Sequence, residues 1–229
     1  MIKLSDILYE SAIIEDDELD EANYPEGFDQ KVFDTLNLPQ KAKYARKHLK
    51  YIAKGSSRIV LQIDENTVLK IAMNRAGIQQ NSIEADISRF YPQITAKVFE
   101  ASPSYDWIEM EKAEPARSAD FLAETGLPSG LFFEFLDKYL SKIFLGKEPY
   151  FTSQSHKKLF DEFTKTDLAE KVLDVVGNYD LLKGDIVRPT AWGVVTRDGS
   201  PHLVLIDYGI TNRDYDFYYR SKRNLNREF

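Results

Sequence analysis

The sequence predicts an α+β fold with two lobes, and three observations lead to this. Strand-like alternation and β-branched residues dominate residues 51–112, broken by one helical stretch at residues 77–90. Apolar residues recur at helical spacing over residues 120–176. Two last strands are predicted at residues 192–196 and 203–206, around a turn. Strands segregated from helices are typical of α+β proteins, so we predict a β-rich N-lobe over residues 23–113 and a reduced, mostly helical C-lobe over residues 114–229.

The N-lobe pattern is specific enough to place its elements. Residues 29–50 read as one or two short helices, broken near Pro39. Strands follow at residues 58–63 and 67–72, with Asp64-Glu65-Asn66 between them as a hairpin turn. After the helix at residues 77–90, two further strands are predicted, at residues 96–101 and 107–112.

The first 22 residues differ from the rest. Residues 1–14 are short and amphipathic, and six of the seven positions from Glu15 to Glu21 are acidic. Clustered like charges repel one another and stay solvated. We therefore predict a mobile acidic arm over residues 1–22.

Composition narrows the class of protein. Of 229 residues, 43% are hydrophobic and 29% charged, and the net charge of −7 argues against a nucleic-acid-binding surface. The absence of cysteine excludes disulfides, thiolate metal sites and cysteine nucleophiles. No apolar run reaches the ~18 residues that cross a membrane, and the N-terminus lacks a secretory pattern. These features predict a soluble protein of the cytoplasm.

Four features in order along the chain suggest chemistry on phosphate. Gly55-Ser56-Ser57-Arg58 is a turn of small residues, which lets backbone amides approach phosphate oxygens. Lys70 lies within an apolar strand, where an ammonium group needs a partner, and Glu84 follows fourteen residues later on the next helix. Asp207-Tyr208-Gly209 ends the last apolar strand, a position that suits a metal ligand at a cleft. The residues alone leave open whether Arg58 contacts phosphate or covers the sheet.

This order of features resembles the protein-kinase fold, over about residues 51–209. The resemblance implies that Lys70 contacts the α- and β-phosphates of ATP, that Glu84 orients Lys70, and that Asp207 holds Mg²⁺. The Gly55–Arg58 turn would cover the phosphates, and adenine would bond to the backbone near Met110 to Ala113. The implied ligands are therefore ATP and Mg²⁺.

The segment that would carry catalysis departs from the family pattern. Asp185 stands twenty-two residues before Asp207, where the resemblance places the catalytic base. The metal-binding Asn is replaced, with Thr190 or Ala191 in its position. Thr190 offers a hydroxyl to a metal, a poorer ligand than an amide oxygen. Two functions stay open: an ATP- and Mg²⁺-dependent phosphotransferase of unknown substrate, and a pseudokinase that binds a protein partner without catalysis.

Four motifs have a more specific likeness: Gly55-Ser56-Ser57-Arg58, Val68-Leu69-Lys70-Ile71-Ala72, Gly77-Ile78 with Gln80-Asn81, and Trp192-Gly193-Val194-Val195 with Leu205-Ile206-Asp207-Tyr208-Gly209. In these the chain resembles the small kinase-like proteins of tailed bacteriophages. Only 22 residues follow Asp207, which leaves no room for the helices that hold a peptide substrate in ordinary protein kinases. Leu8-Tyr9-Glu10 and Ile13-Ile14-Glu15 match the sites that prohead proteases of some large phages cut. The resemblance implies a protein of the infected host cytoplasm, with packaging into the virion as an alternative.

Overall fold

The computed structural model describes residues 22–220 of the chain. The acidic arm predicted at residues 1–22 therefore lies, except for Ala22, outside the described residues. No helix in the described range is long and apolar enough to cross a membrane.

Two helices precede the first sheet, and most of the remaining helices follow it. The helices are α1 Gln30–Thr35, α2 Leu38–His48, α3 Arg75–Phe90, α4 Ser118–Thr125, α5 Ser129–Leu145, α6 Gln154–Phe163, α7 Asp167–Asn178, α8 Lys183–Ile186 and α9 Asn212–Tyr215. A 3₁₀ turn covers Pro189–Ala191, and a π-helical segment covers Asp216–Arg220. The strands are β1 Lys50–Lys54, β2 Arg58–Gln62, β3 Thr67–Ala72, β4 Val98–Ala101, β5 Trp107–Glu111, β6 Glu114–Pro115, β7 Trp192–Arg197 and β8 Ser200–Leu205.

The N-lobe is a five-stranded antiparallel sheet with α3 on one face and α1 and α2 on the other. The strand order is β1-β2-β3-β5-β4, so β3 occupies the centre. All six residues of β3 are buried, because Phe33 and Ala45 of the preceding helices cover the face that holds Leu69 and Ile71. Ile87 of α3 packs with Val68 in the other core cluster. A lysine at the middle of β3 is consequently enclosed on both sides.

The C-lobe core is built from apolar faces of helices and a second, three-stranded sheet. Phe132 and Phe135 of α5 are fully buried and pack in one cluster with Val172 of α7 and Trp192 of β7. The second sheet has the order β6-β7-β8, and its short strand β6 was not predicted. The predicted α+β fold, with a β-rich N-lobe and a helical C-lobe, is confirmed by this topology.

A line of backbone hydrogen bonds, which we call the seam, joins the two lobes. The amide of Ala96 donates to the carbonyl of Leu205 (2.9 Å), and the amide of Leu205 donates to the carbonyl of Ile94 (2.8 Å). Arg197 extends the seam, because its guanidinium donates to the carbonyls of Pro92 (2.6 Å) and Thr95 (2.8 Å). The seam holds the end of β8 against the segment that follows α3.

Two glycines allow the close contacts that position α3. A Cβ at Gly77 would lie 2.3 Å from the carbonyl oxygen of Ser57, and one at Gly209 would lie 2.5 Å from the carbonyl oxygen of Gln80. Side chains at these positions would push α3 away from both β2 and the segment after β8. The helix that carries Glu84 is thus set against the two segments that carry Arg58 and Asp207.

Candidate functional site

Lys70 lies at the centre of the candidate site. It projects from β3 with 6% of its surface exposed. Its Nζ donates to Glu84 Oε2 (2.7 Å) and to the carbonyl oxygen of Ile206 (2.6 Å), the residue just before Asp207. Burial lowers the pKa of Lys70, and the nearby guanidinium of Arg58 lowers it further, against the opposing effects of Glu84 and Asp207. The structure therefore brings Lys70, Glu84 and the Asp207 segment together.

Glu84 is fully buried and shared between two cations. Its Oε2 accepts from Lys70, and its Oε1 accepts from Arg58 Nη2 at 2.8 Å and from the amide of Tyr208 at 3.3 Å. Burial alone would raise the pKa of Glu84, but Arg58 and Lys70 together lower it to about 2. Glu84 is thus a carboxylate at any ordinary pH, whereas its sequence neighbour Asp86 is exposed.

Arg58 is part of the buried ion-pair network. Only 8% of its side chain is exposed, and its Nη2 also lies 2.9 Å from Asp207 Oδ1. Its Nη1 donates to the amide oxygen of Asn81 (3.3 Å). Burial disfavours the charged form, but Glu84 and then Asp207 raise the pKa of Arg58 above its usual value. The structure thus gives Arg58 a role that the sequence did not suggest, a bridge between Glu84 and Asp207.

Asp207 has an arginine on each carboxylate oxygen. Oδ1 accepts from Arg58, and Oδ2 accepts from Arg188 Nη2 at 2.7 Å. Asp207 is 41% exposed at the cleft, and Arg188 is 39% exposed beside it. The predicted metal ligand is therefore held on both sides by guanidinium groups.

Asp185 pairs with the same arginine, and Thr190 does not reach the cleft. Arg188 Nη1 lies 3.1 Å from Asp185 Oδ1, while Asp185 Oδ2 is buried without a hydrogen-bond partner. Burial raises the pKa of Asp185, Arg188 lowers it and Asp207 raises it, with a net upward shift. Thr190 lies exposed on the 3₁₀ turn, and neither it nor Asp185 lines the cleft described below.

The predicted phosphate turn is pinned to the start of α3. The amide of Gly55 donates to the carbonyl of Arg58 (2.9 Å), which closes the turn between β1 and β2. Ser57 is buried, and its hydroxyl donates to Gln80 Oε1 (2.8 Å). Ser56 is exposed, with its Oγ 3.4 Å from the hydroxyl of Tyr219 near the C-terminal end of the described residues. The turn lines the cleft, but the Ser57 hydroxyl is already engaged by α3.

Between the lobes, a cavity of about 780 Å³ is lined by both. Its lining includes the charged side chains of Arg58, Lys70, Arg188 and Asp207, together with the apolar side chains of Val60, Val68, Met110, Ile206 and Ile210. Ligand pockets for small molecules have this size and this mixture of apolar walls with a few polar groups. The arrangement suits a flat apolar ring joined to a charged group.

The backbone expected to bond adenine is partly engaged. Met110 is buried in β5 and lines the cleft, as does Ala113. The amide of Glu111 donates to the carbonyl of Lys97 (2.7 Å), and the amide of Lys112 donates to the carbonyl of Asn66 (2.6 Å). These two donors are therefore not free to bond an adenine ring.

The residues around Asp207 do not fit a directly bound Mg²⁺ ion in this arrangement. Magnesium at phosphate sites takes one or two carboxylates together with substrate oxygens. Each Asp207 oxygen accepts from an arginine, and the described residues contain no group of three or more His, Asp or Glu that could hold a metal. Three cations, Arg58, Lys70 and Arg188, already balance the three carboxylates, Glu84, Asp185 and Asp207.

Comparison with known proteins finds similarity to solved structures. No protein-family model matches the chain, and no curated protein matches it. SAICAR synthase from Saccharomyces cerevisiae, solved with SAICAR, is similar at 10% identity with a TM-score of 0.35, over 70% of this chain and 73% of that one. Aminoglycoside 2'-phosphotransferase-IIIa, solved with GDP, is similar at 11% identity with a TM-score of 0.38, over 85% of this chain and 78% of that one.

Likeness at this level carries no function or ligand to the present chain. The function proposed below therefore rests on the chain's own topology and on the convergence of Lys70, Glu84 and Asp207.

Sequence reasoning missed four residues of the site. Arg188 follows Asp185 by three positions, the spacing of one helical turn, and this was the available signal for its pairing. Asn81 and Gln80 lie one helical turn before Glu84 on α3 and meet Arg58 and Ser57. Tyr219 carries no local signal, because its contact with Ser56 spans 163 residues.

Proposed function

We propose that this chain binds ATP in the cleft between its lobes and is a phosphotransferase whose acceptor is unassigned. The supporting observation is the buried Lys70–Glu84 pair, whose lysine lines the cleft and bonds to the residue before Asp207. A buried ammonium group is costly unless it is paired and hydrogen-bonded. Lys70 has partners, and the cleft around it has room for a nucleotide.

In this proposal, the transfer step depends on positioning and on neutralising charge. Lys70 and Arg188 line the cleft and provide positive charge for the phosphates. Asp185 would accept the proton of the attacking hydroxyl, and its raised pKa makes it a better base at neutral pH than an ordinary aspartate. Asp185 reaches a substrate only when Arg188 releases it, because the two are paired.

A second function, binding of nucleotide without transfer, is favoured by one observation. Arg188 contacts both Asp185 and Asp207, so one side chain occupies the two acids that catalysis requires. In this form the chain would act through a protein partner.

Binding is tested by thermal unfolding with and without ATP. A ligand at a hundred times its dissociation constant adds about 2.7 kcal/mol of stability. We expect ATP to stabilise the wild type and the control Lys138→Met, whose lysine is paired on the surface of α5. We expect no stabilisation of Lys70→Met. An equal shift in all three proteins would contradict a nucleotide site at Lys70.

Transfer is tested with γ-labelled ATP, offered to the purified chain and to a lysate. The phosphotransferase function predicts label in protein or product that is lost in Asp185→Asn and Lys70→Met. If the wild type binds ATP but transfers no more label than these variants, only the second function, binding without transfer, remains.

A tailed-phage origin belongs to the same proposal. It is supported by the two Leu/Ile-x-Glu tripeptides near the N-terminus, at Leu8-Tyr9-Glu10 and Ile13-Ile14-Glu15, which lie outside the described residues. Packaging predicts a chain that begins after Glu10 or Glu15 in virions, and mass spectrometry of the N-terminus checks this. A virion copy that begins at Met1 would contradict cleavage.

A further inference from the structure

We propose that the cleft binds nucleotide phosphates without a divalent cation, because the guanidinium of Arg188 occupies the position of the metal. This rests on the nucleotide binding proposed above and specifies the ligand as a metal-free polyphosphate. It follows from the way Arg188, Asp185 and Asp207 are arranged.

Arg188 bridges two carboxylates as a metal ion would. Its Nη1 lies 3.1 Å from Asp185 Oδ1, and its Nη2 lies 2.7 Å from Asp207 Oδ2. Each acid thereby has one oxygen engaged, and the second oxygen of Asp207 is taken by Arg58. A divalent cation could reach Asp207 only by displacing one of the two guanidinium groups. The displaced guanidinium would then lie beside the metal ion without its carboxylate partner, and the two positive charges would repel each other.

Arg188 is the most exposed cation of the network. All three of its cations line the cleft, but the side chain of Arg188 is 39% exposed, whereas those of Arg58 and Lys70 are 8% and 7% exposed. A guanidinium has five N–H donors in a planar fork. In Arg188, Nη1 and Nη2 each serve a carboxylate and Nε is buried without a partner, so the second N–H of each Nη is left for a phosphate oxygen. The same fork geometry makes arginine a preferred group for phosphate recognition.

The carboxylates of the cluster are neutralised without a metal. Magnesium in kinase sites bridges the β- and γ-phosphate oxygens and neutralises charge there. Here the three carboxylates are each paired with at least one cation before any ligand arrives. A polyphosphate entering beside Arg188 therefore meets no unpaired carboxylate of this cluster facing the cleft.

The first experiment compares binding with and without metal by titration calorimetry on the full chain. ATP and inorganic tripolyphosphate are each titrated in EDTA and in magnesium. We expect the dissociation constants in EDTA to lie within about threefold of those in magnesium. Binding that is at least tenfold weaker in EDTA would overturn the metal-free site while leaving nucleotide binding intact. Loss of ATP binding in both buffers would remove the proposed function, and tripolyphosphate in EDTA would then decide whether the anion site stands.

The second experiment uses variants of Arg188. Arg188→Gln should bind ATP in EDTA at least tenfold more weakly, and magnesium should restore part of the affinity through the released carboxylates. Arg188→Lys should fall between, because a single ammonium cannot span both acids. The control Arg89→Gln, an exposed arginine of α3 outside the cleft lining, should match the wild type. Wild-type affinity of folded Arg188→Gln in EDTA would overturn the proposal.

Discussion

Arg58 donates to Glu84 across 2.8 Å, from the strand next to the one that carries Lys70. The Arg58 guanidinium thus shares one buried carboxylate with the Lys70 ammonium, and the network continues through Asp207 to Arg188. Because these five side chains come from different parts of the chain, the network links the folding of the N-lobe to the geometry of the cleft.

The first prediction concerns the shared carboxylate. Glu84→Gln keeps the shape but leaves Lys70 and Arg58 without a buried anion, and breaking a buried pair costs about 3–5 kcal/mol. Denaturant unfolding measures this loss. The control Glu134→Gln disrupts an exposed pair with Lys138 and should change the free energy of unfolding by less than about 1 kcal/mol. Equal losses in the two variants would contradict the central role of Glu84.

The second prediction is a pH dependence caused by Glu109. Burial in β5 raises the pKa of Glu109 to about 7 from 4.5, although a hydrogen bond from Tyr24 (2.5 Å) opposes the shift. Between these pH values the folded chain keeps a proton that the unfolded chain loses. The contribution of this bound proton to stability is complete below the pKa of the unfolded chain. It falls by at most about 1.4 kcal/mol per pH unit as pH rises, and it is lost above the pKa of Glu109 in the folded chain.

Glu109→Gln tests this dependence, because glutamine stays neutral. The free energy of unfolding of this variant, relative to that of the wild type, should increase as the pH rises from 5 to 8. Tyr24→Phe should move the wild-type decline to higher pH, since it removes the hydrogen bond that lowers the Glu109 pKa. If Glu109→Gln and the wild type differ in free energy of unfolding by the same amount at pH 5 and at pH 8, Glu109 does not titrate in this range.

The third prediction concerns the tyrosine after Asp207. Tyr208 is 1% exposed, and its hydroxyl donates to the carbonyl of Ala96 (3.2 Å). Tyr208→Phe should lower the free energy of unfolding by about 0.5–1.5 kcal/mol, because the Ala96 carbonyl loses a buried donor. Tyr150→Phe, at a residue that is 80% exposed, is the matched control and should be neutral. A gain of stability in Tyr208→Phe would argue against a useful hydrogen bond there.

The fourth prediction tests the close approach of α3 to the Asp207 segment. Gly209→Ala places a Cβ 2.5 Å from the Gln80 carbonyl oxygen, so α3 must shift and carry Glu84 with it. We expect a loss of about 1–3 kcal/mol in unfolding free energy, as for other overpacked contacts, together with weaker ATP binding. Gly130→Ala on α5 meets nothing within 4 Å and should stabilise by up to about 1 kcal/mol. Equal stability of the two variants would contradict the tight contact.

Local patterns explain what the sequence could predict. The β3 strand with its lysine, the helix with Glu84 fourteen residues later, and the final strand before Asp207 each follow from short-range periodicity. The order of lobes follows from where these patterns change. Adjacent strands β2 and β3 pair as the hairpin predicts. Val60 is the strand partner of Lys70, and Arg58 lies two positions before Val60.

The remaining features depend on contacts between distant segments. Arg58 reaches Asp207 across 149 positions, and no pattern near Arg58 shows that its guanidinium turns inward to Glu84. The two bonds of Arg188 decide whether Asp207 is open to a metal, yet only its pairing with Asp185, one helical turn away, has a local signal. The offset from Asp185 predicts Thr190 as a metal ligand, but Thr190 lies exposed to solvent on the 3₁₀ turn.

The seam between the lobes has a mechanical consequence. Ile94, Ala96 and Leu205 join the lobes through direct backbone bonds, whereas the Gly55 turn and Arg188 both line the cavity. A change in the width of the cavity that kept these backbone bonds intact would be a rotation about them, because a sliding of one lobe past the other would break them.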